Sequence, residues 1–345
     1  MNDLPPVPFT NPRARHGFRG RTCSITGVGS HVPARVLTNA DLEGLVETTD
    51  EWITSRTGIK ERRLAAPDEA TSDLAAAAAR RALEMAGVTA DQLDLIIVAT
   101  ITPDMPFPST ACLVQRRLGA RRAAAFDLEA ACSGFIYGLE IGQQFITSRT
   151  YDTVLVIGAE KLSTIIDWKD RNTCVLFGDG AGAAVLQNRP RSHGLLTACM
   201  GADGDKADLL SMPAGGSRIP ATLDSVGARL HFLRMDGKET FKNAVNAMLT
   251  AAQEALRRCR LDIGDIKCVI PHQANRRIID AVAERLGAAP EKVFINLDRY
   301  GNTSAASVAI ALDEAVRGGR IQRGDLVLLV VFGAGLTWGA AVIEW

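Results

Sequence analysis

No two of the seven cysteines (Cys23, Cys112, Cys132, Cys174, Cys199, Cys259 and Cys268) stand in C-x-x-C spacing, and their number is odd. Both features argue against a disulfide framework and against a zinc site, and a reducing cytoplasm fits them best. No excess of either charge is present, because Lys plus Arg (39) balance Asp plus Glu (39). No global field therefore draws in nucleic acid or an anionic membrane, and an anionic partner has to be held by a local patch. No segment runs long enough without charge to span a bilayer. Residues 1–19 hold four prolines and, with His16, four basic residues, but no continuous apolar core. They read as a disordered tail, not as a signal peptide. Two glycine-rich stretches also lack what a nucleotide site needs. After Gly27-Val28-Gly29 the third glycine of a dinucleotide fingerprint is missing, and His31-Val32-Pro33 blocks a helix start. Arg171 to Leu186 has no Lys-Ser/Thr after its glycines and reads as strand, tight turn, strand.

What is present is apolar mass in an ordered alternation. At 345 residues and 47% hydrophobic, the chain can bury a large core as two domains or one large α/β unit. Ser72 to Gly87 is an Ala-rich helix closed by glycine, and Leu93 to Thr100 is a continuous apolar strand of the kind buried on both faces. A proline-rich loop carrying Phe107, a helix to Leu118, a strand, a further helix and the strand 153–160 follow. This alternation calls for an α/β fold with a mostly parallel sheet. Earlier in the chain, Trp52 and Arg56 stand four residues apart on one helical face. Such a pair serves either packing or the holding of a flat ring or a phosphate. Residues 187–230 are polar and irregular and read as a connection between halves.

Cys132 stands where the apolar run ending in Glu129-Ala130-Ala131 gives way to a helical pattern beginning after Ser133-Gly134. A thiol at a strand-to-helix turn meets unpaired N–H groups and the positive end of a helix dipole, which favour a thiolate. Equally, free cysteines are commonly small, buried and inert. An internal repeat adds to the first reading. The order of strand, helix ending Arg-Leu-Gly-Ala, phenylalanine, small-residue turn and glycine-rich strand occurs twice. Leu118 and Phe126 are spaced as Leu286 and Phe294 are. The turn matching that of Cys132 offers Asn302, and an earlier strand of the second copy ends at His272, at a carboxyl end where α/β sheets place their sites. Singly, His272 fits helix capping or burial, and Asn302 beside Gly301 fits a turn. Together, at matching topological points, they favour chemistry.

The segments Glu129–Phe135 (EAACSGF), His272–Asn275 (HQAN), Gly301–Ser307 (GNTSAAS) and Phe332–Gly339 (FGAGLTWG) resemble the thiolase-fold condensing enzymes, specifically the β-ketoacyl-acyl carrier protein synthase III family. The resemblance runs from about Thr22 to the C-terminus. It implies a thiolase-like fold of two duplicated α/β modules about a pseudo-twofold, layered α-β-α-β-α, over residues 20–190 and 231–345 with 191–230 connecting them. It also implies a ping-pong Claisen condensation: Cys132 takes an acyl group from acyl-CoA, and malonyl-acyl carrier protein then decarboxylates beside His272 and Asn302. The implied oxyanion hole joins the Cys132 N–H to the Gly333-Ala334-Gly335 loop, with Phe332 as a gating aromatic. Ala334 departs from the three glycines of many members. Trp52, Arg56, Thr57 and Arg171 match coenzyme A contacts, Lys242 and Arg277 match a carrier-protein patch, and Phe107 matches a residue reaching the partner's acyl pocket in a homodimer. Its bulk favours a short primer such as acetyl or propionyl. The implied enzyme is cytoplasmic and uses no metal and no cofactor, coenzyme A thioester being a substrate. A secondary-metabolite or polyketide-priming relative is the rival enzyme, while the carrier patch argues against a type III polyketide synthase. A silent acyl-binding dimer partner is the non-enzyme rival, against which Cys132 speaks.

Overall fold

The computed structural model describes residues 21–189 and 194–345. The tail expected over residues 1–19 lies outside the described residues, as do residues 191–193 of the expected connection.

The first half runs β1 (Cys23–His31), β2 (Arg35–Thr38), α1 (Asn39–Glu43), α2 (Asp50–Thr57), β3 (Glu61–Leu64), α3 (Thr71–Ala86), β4 (Leu95–Ala99), α4 (Thr110–Leu118), β5 (Ala124–Leu128), α5 (Gly134–Thr147), β6 (Thr153–Glu160), α6 (Arg171–Cys174) and β7 (Gly180–Asn188). The second runs β8 (Leu195–Ala202), β9 (Leu210–Ser211), α7 (Leu223–Gly227), β10 (Arg234–Met235), α8 (Gly237–Cys259), β11 (Cys268–Pro271), α9 (Arg276–Leu286), α10 (Leu297–Tyr300), α11 (Ala306–Arg317), β12 (Leu326–Gly333) and β13 (Thr337–Glu344). Two main sheets result, in the orders β1-β7-β6-β4-β5 and β8-β13-β12-β11. These are one order written twice, and a single parallel bridge between Val269 and Val293 marks where the second sheet's fifth strand would lie.

Strand periodicity sorts the core into layers. In β4, Leu95 and Ile97 face inward onto α5 and α11, while Ile96 and Val98 face outward onto α3 and α4. In the second sheet, Ile270, Leu329 and Val331 share the inner layer, and Val269, Leu328 and Val330 pack outward against Ala244 and Met248 of α8. The order is therefore α3/α4, sheet, α5/α11, sheet, α8/α9, the five-layered thiolase fold. Gly158 of β6 permits a close approach between the halves, because a Cβ there would collide with the backbone carbonyl of Ala305 at the head of α11.

Three expectations need correction. Both sheets are mixed: β6 and β7 are antiparallel across the connection 161–179 that holds α6, and β12 and β13 are antiparallel because the short turn 334–336 sends the chain straight back. Residues 171–174 form the short helix α6, not a strand, since the Asp170 carboxylate caps it by accepting from the Asn172 N–H at 3.0 Å. Residues 195–202, placed in the connection together with their polar flanks, are β8, an edge strand that buries Leu195, Ala198 and Cys199. The second module thus begins before residue 231.

Candidate active site

The turn after β5 is short. Residues 131–133 make one 3₁₀ turn and α5 begins at Gly134, so Cys132 sits at a helix start as its sequence implied, 7% exposed. The chain of β12 passes directly against it: a Cβ on Gly333 would stand 2.7 Å from the Cys132 N and 3.1 Å from the Ser133 N. The Thr337 hydroxyl holds the two segments together by bonding the Ala130 and Ala334 carbonyls, both at 3.0 Å. Of the three loop residues, Gly333 needs its missing side chain for this approach and Gly335 has φ +124°. Ala334 is not among the residues of positive φ, so alanine stands there without backbone strain. Phe332, just before, is buried in the outer core of the second sheet.

The expectation of a thiolate meets an opposing force. Burial pushes the Cys132 thiol up to about 12; a hydrogen bond from the Ser304 hydroxyl and the Cys132 N–H lower it, and the Glu160 charge adds to the rise.

His272 follows β11, its N–H donating to the Val330 carbonyl at 2.7 Å. It is 3% exposed, and burial lowers its pKa to about 4, so the ring is neutral near pH 7. Its Nδ1 lies 2.6 Å from the Ser307 Oγ. Asn302, 7% exposed, is held by its main chain against residues 176–178: its N–H donates to the Leu176 carbonyl at 2.8 Å, and its carbonyl accepts from the Gly178 N–H at 3.0 Å. The Asn302 Oδ1 accepts the Ser304 N–H at 2.8 Å, which fixes the amide's orientation and leaves Nδ2 as its donor.

The head of α11 gathers these groups. Asn302 leads into it, Ala305 lies against Gly134 two residues past Cys132, and Ser307 contacts the His272 ring. Ser304 also donates to the buried Glu160 at 3.1 Å. Ser304, Ser307 and Glu160 were not singled out from sequence. The signals that pointed toward them were the small residues after Asn302 and the acid ending a wholly apolar strand.

The expected coenzyme A residues divide. The guanidiniums of Arg56 and Arg171 each lie 5.0 Å from the centre of the Trp52 ring, and Arg171 also donates to the Glu47 carbonyl at 2.9 Å. Thr57 does not join them at the surface. It is buried, donating to the Ile53 carbonyl at 2.7 Å and accepting from the Ile59 N–H at 3.0 Å, so its hydroxyl serves the end of α2. Asn275, which caps α9, donates to the Arg56 carbonyl at 3.2 Å and ties this surface to the His272 segment. Lys242 on α8 and Arg277 on α9 are both exposed on packed neighbours, with Arg277 5.6 Å from the ring centre of Phe241. Phe107, at 84% exposure, stands on the loop between β4 and α4. Among the described residues no group of three or more His, Cys, Asp or Glu side chains gathers as a metal site.

A duplicated five-layer fold with a cysteine, a histidine and an asparagine gathered by one helix start defines a thiolase-fold condensing enzyme, an acyltransferase. Models of 3-oxoacyl-[acyl-carrier-protein] synthase III match residues 126–204 and, for its C-terminal part, 256–345. The β-ketoacyl-[acyl-carrier-protein] synthase III of Caldanaerobacter subterraneus subsp. tengcongensis is 61% identical over 93% of this chain and 97% of its own. The crystal structure of 3-oxoacyl-[acyl-carrier-protein] synthase III from Aquifex aeolicus superposes with a TM-score of 0.88 at 49% identity, covering 94% of this chain and all (100%) of that one. A priming β-ketosynthase from a polyketide biosynthetic pathway has a TM-score of 0.87 at 39% identity, covering 94% and 96%. The chain belongs to the β-ketoacyl-[acyl-carrier-protein] synthase III family.

Proposed function

We propose that this protein, an initiating condensing enzyme of fatty acid synthesis, takes an acyl group from acyl-coenzyme A onto Cys132 and condenses it with malonyl-acyl carrier protein. The observation that carries the reading is the head of α11, where Asn302, Ala305 against the start of the Cys132 helix and the His272 contact of Ser307 lie within six residues. The acyl carbonyl at Cys132 develops negative oxygen charge when attacked; the Cys132 N–H and the adjoining 333–335 loop supply donors for it. Coenzyme A departs, and malonyl carrier protein enters. Loss of CO2 leaves an enolate whose oxygen takes hydrogen bonds from His272 Nε2 and Asn302 Nδ2, and the carbanion carbon attacks the acyl-Cys132 thioester. A neutral His272 suits this role when the Ser307 hydroxyl donates to Nδ1 and Nε2 keeps the proton.

Trp52, Arg56 and Arg171 form the surface for the nucleotide end of coenzyme A. Lys242 and Arg277 form the patch for the acidic carrier protein, the local cation set that a chain of zero net charge requires. Exposure of Phe107 together with the half-open edge strand β5 supports a homodimer in which the edges pair and Phe107 enters the partner's acyl pocket. A bulky residue there favours acetyl-coenzyme A as primer. Coenzyme A thioester is a substrate, and the chemistry needs no cofactor. No helix among the described residues is long and apolar enough to cross a membrane, which accords with work in the cytoplasm.

Intact-protein mass spectrometry tests the reading. Acetyl-coenzyme A should add one acetyl group, malonyl carrier protein should remove it as acetoacetyl carrier protein, and Cys132→Ala should show no adduct. An adduct that survives Cys132→Ala overturns the assignment.

A further inference from the structure

An amide donates well to a reacting oxygen only when it is held in one orientation, and the bonds that hold Asn302 can be followed back into the first module. The Asn302 Oδ1 accepts the Ser304 N–H at 2.8 Å. Ser304, itself buried, has φ +48°, a left-handed backbone that a residue with a side chain adopts at a cost. Its hydroxyl crosses between the modules and donates to Glu160 Oε1 at 3.1 Å.

Glu160 ends β6 fully buried and is fixed in turn by the loop after β4. The Thr102 hydroxyl donates to Oε2 at 2.6 Å, the Thr100 hydroxyl at 3.2 Å and the Ile101 N–H at 3.2 Å. That loop is anchored as well: the Thr102 carbonyl accepts from the Thr71 hydroxyl at 2.5 Å, and the Thr102 Oγ1 accepts from the Lys161 N–H at 2.9 Å. Only a carboxylate can serve both sides, because it accepts at both oxygens, whereas one end of an amide is a donor. The adjacent Lys161 does not compensate the acid, since its Nζ donates to the Ala66 and Glu69 carbonyls. Burial raises the Glu160 carboxyl to about 7 despite its hydrogen bonds. Packing alone would be better served by an apolar side chain, as in the rest of β6.

Resting on the reading of Asn302 as a donor to the enolate, we propose that Glu160 is a positioning residue for decarboxylation: through the Ser304 hydroxyl it holds the turn, and through the Ser304 N–H it keeps the Asn302 Nδ2 aimed at the enolate oxygen. Two hydrogen bonds in series carry the effect, one on each side of Ser304. The first module thus steadies a donor that the second supplies.

Decarboxylation of malonyl carrier protein and single-turnover acetylation by acetyl-coenzyme A, measured separately on the full chain, test this. Glu160→Gln should lower kcat for decarboxylation about tenfold and leave KM for malonyl carrier protein within about twofold. Acetylation of Cys132, read by intact mass, should not slow in this variant, because the Glu160 charge raises that thiol and its removal favours the thiolate. Ser304→Gly removes the hydroxyl but suits the positive φ, so its thermal midpoint should be no lower while decarboxylation shows the same loss. It carries the test alone where the Gln variant does not fold. The two changes together should cost no more than either one, since they break the same line. In an Asn302→Ala background, either change should alter decarboxylation by less than about twofold, there being no amide left to aim. Unchanged decarboxylation in both single variants, a further loss in the Asn302→Ala background, or acetylation falling together with decarboxylation in Glu160→Gln overturns the proposal. Asn302→Ala that decarboxylates as fast as wild type would instead overturn the reading of Asn302.

Discussion

The two modules share a strand order and differ where it matters for chemistry. Each has a turn with one non-glycine residue at positive φ, Ala131 at 46° and Ser304 at 48°, a strain kept where side chains must be aimed. The first module's turn presents a thiol, and the second's presents an amide with two serines behind it. Their edges differ as well: β5 is a five-residue strand with half-buried side chains, while the corresponding stretch at Val293 makes a single bridge. Duplication thus supplied a geometry in which two helix starts face one another, and a handful of turn residues divided the work. On the proposed function, acyl capture falls to the first module and enolate stabilisation to the second.

That division is open to attack at several points. Cys132→Ala should erase the acyl adduct completely in intact-mass measurements, while leaving decarboxylation of malonyl carrier protein measurable. Asn302→Ala should do the reverse, keeping acylation but lowering condensation by about 10²- to 10³-fold in carrier-protein product assays, the loss of one oxyanion donor. If both variants lose both half-reactions alike, the modules share the work and the comparison breaks.

Next in size is a stability effect of His272. Its folded-state pKa of about 4 lies below the ordinary 6.5, so the unfolded chain binds this proton first as pH falls. Stability present above about pH 6.5 is lost towards pH 4, to the extent of about 3 kcal/mol at 1.36 kcal/mol per pKa unit. Denaturant melts of wild type against His272→Asn at both pH values measure the difference, which should shrink in the variant. Gly333→Ala should cost about 1–3 kcal/mol of stability through the forced contact with Cys132, and should slow acylation more than decarboxylation. Smallest is Arg277→Glu. About 1 kcal/mol of carrier docking should be lost, seen as a KM for malonyl carrier protein raised roughly fivefold with kcat preserved, and as a weaker salt dependence.

Much of the arrangement was legible in the residues. The matched spacing of Leu118–Phe126 and Leu286–Phe294 exposed the duplication, because helix end, strand and turn recur at a fixed rise along the chain. Trp52 and Arg56 met as helical spacing required. What escaped notice depends on contacts between distant segments. Nothing local to Glu160 or Ser304 says that they touch, since the two lie 144 residues apart in different modules. β8 escaped because its eight residues, apolar but for Thr197, lie between the polar stretches 187–193 and 203–208, and the run is too short to stand out from them. Thr57 shows how little a lone hydroxyl at a helix end says by sequence, since it serves its own backbone or a ligand equally well.

The absence of any side chain at Gly158 sets a limit on how this scaffold can change. With the head of α11 seated on bare main chain, residue 158 has no room to grow without lifting Asn302, Ser304 and Ser307 together. The junction is therefore a fixed point for evolution and for engineering alike. On the proposed function, substrate range is varied at a distance, on loops such as that of Phe107, where a larger or smaller residue leaves the register of the two halves untouched.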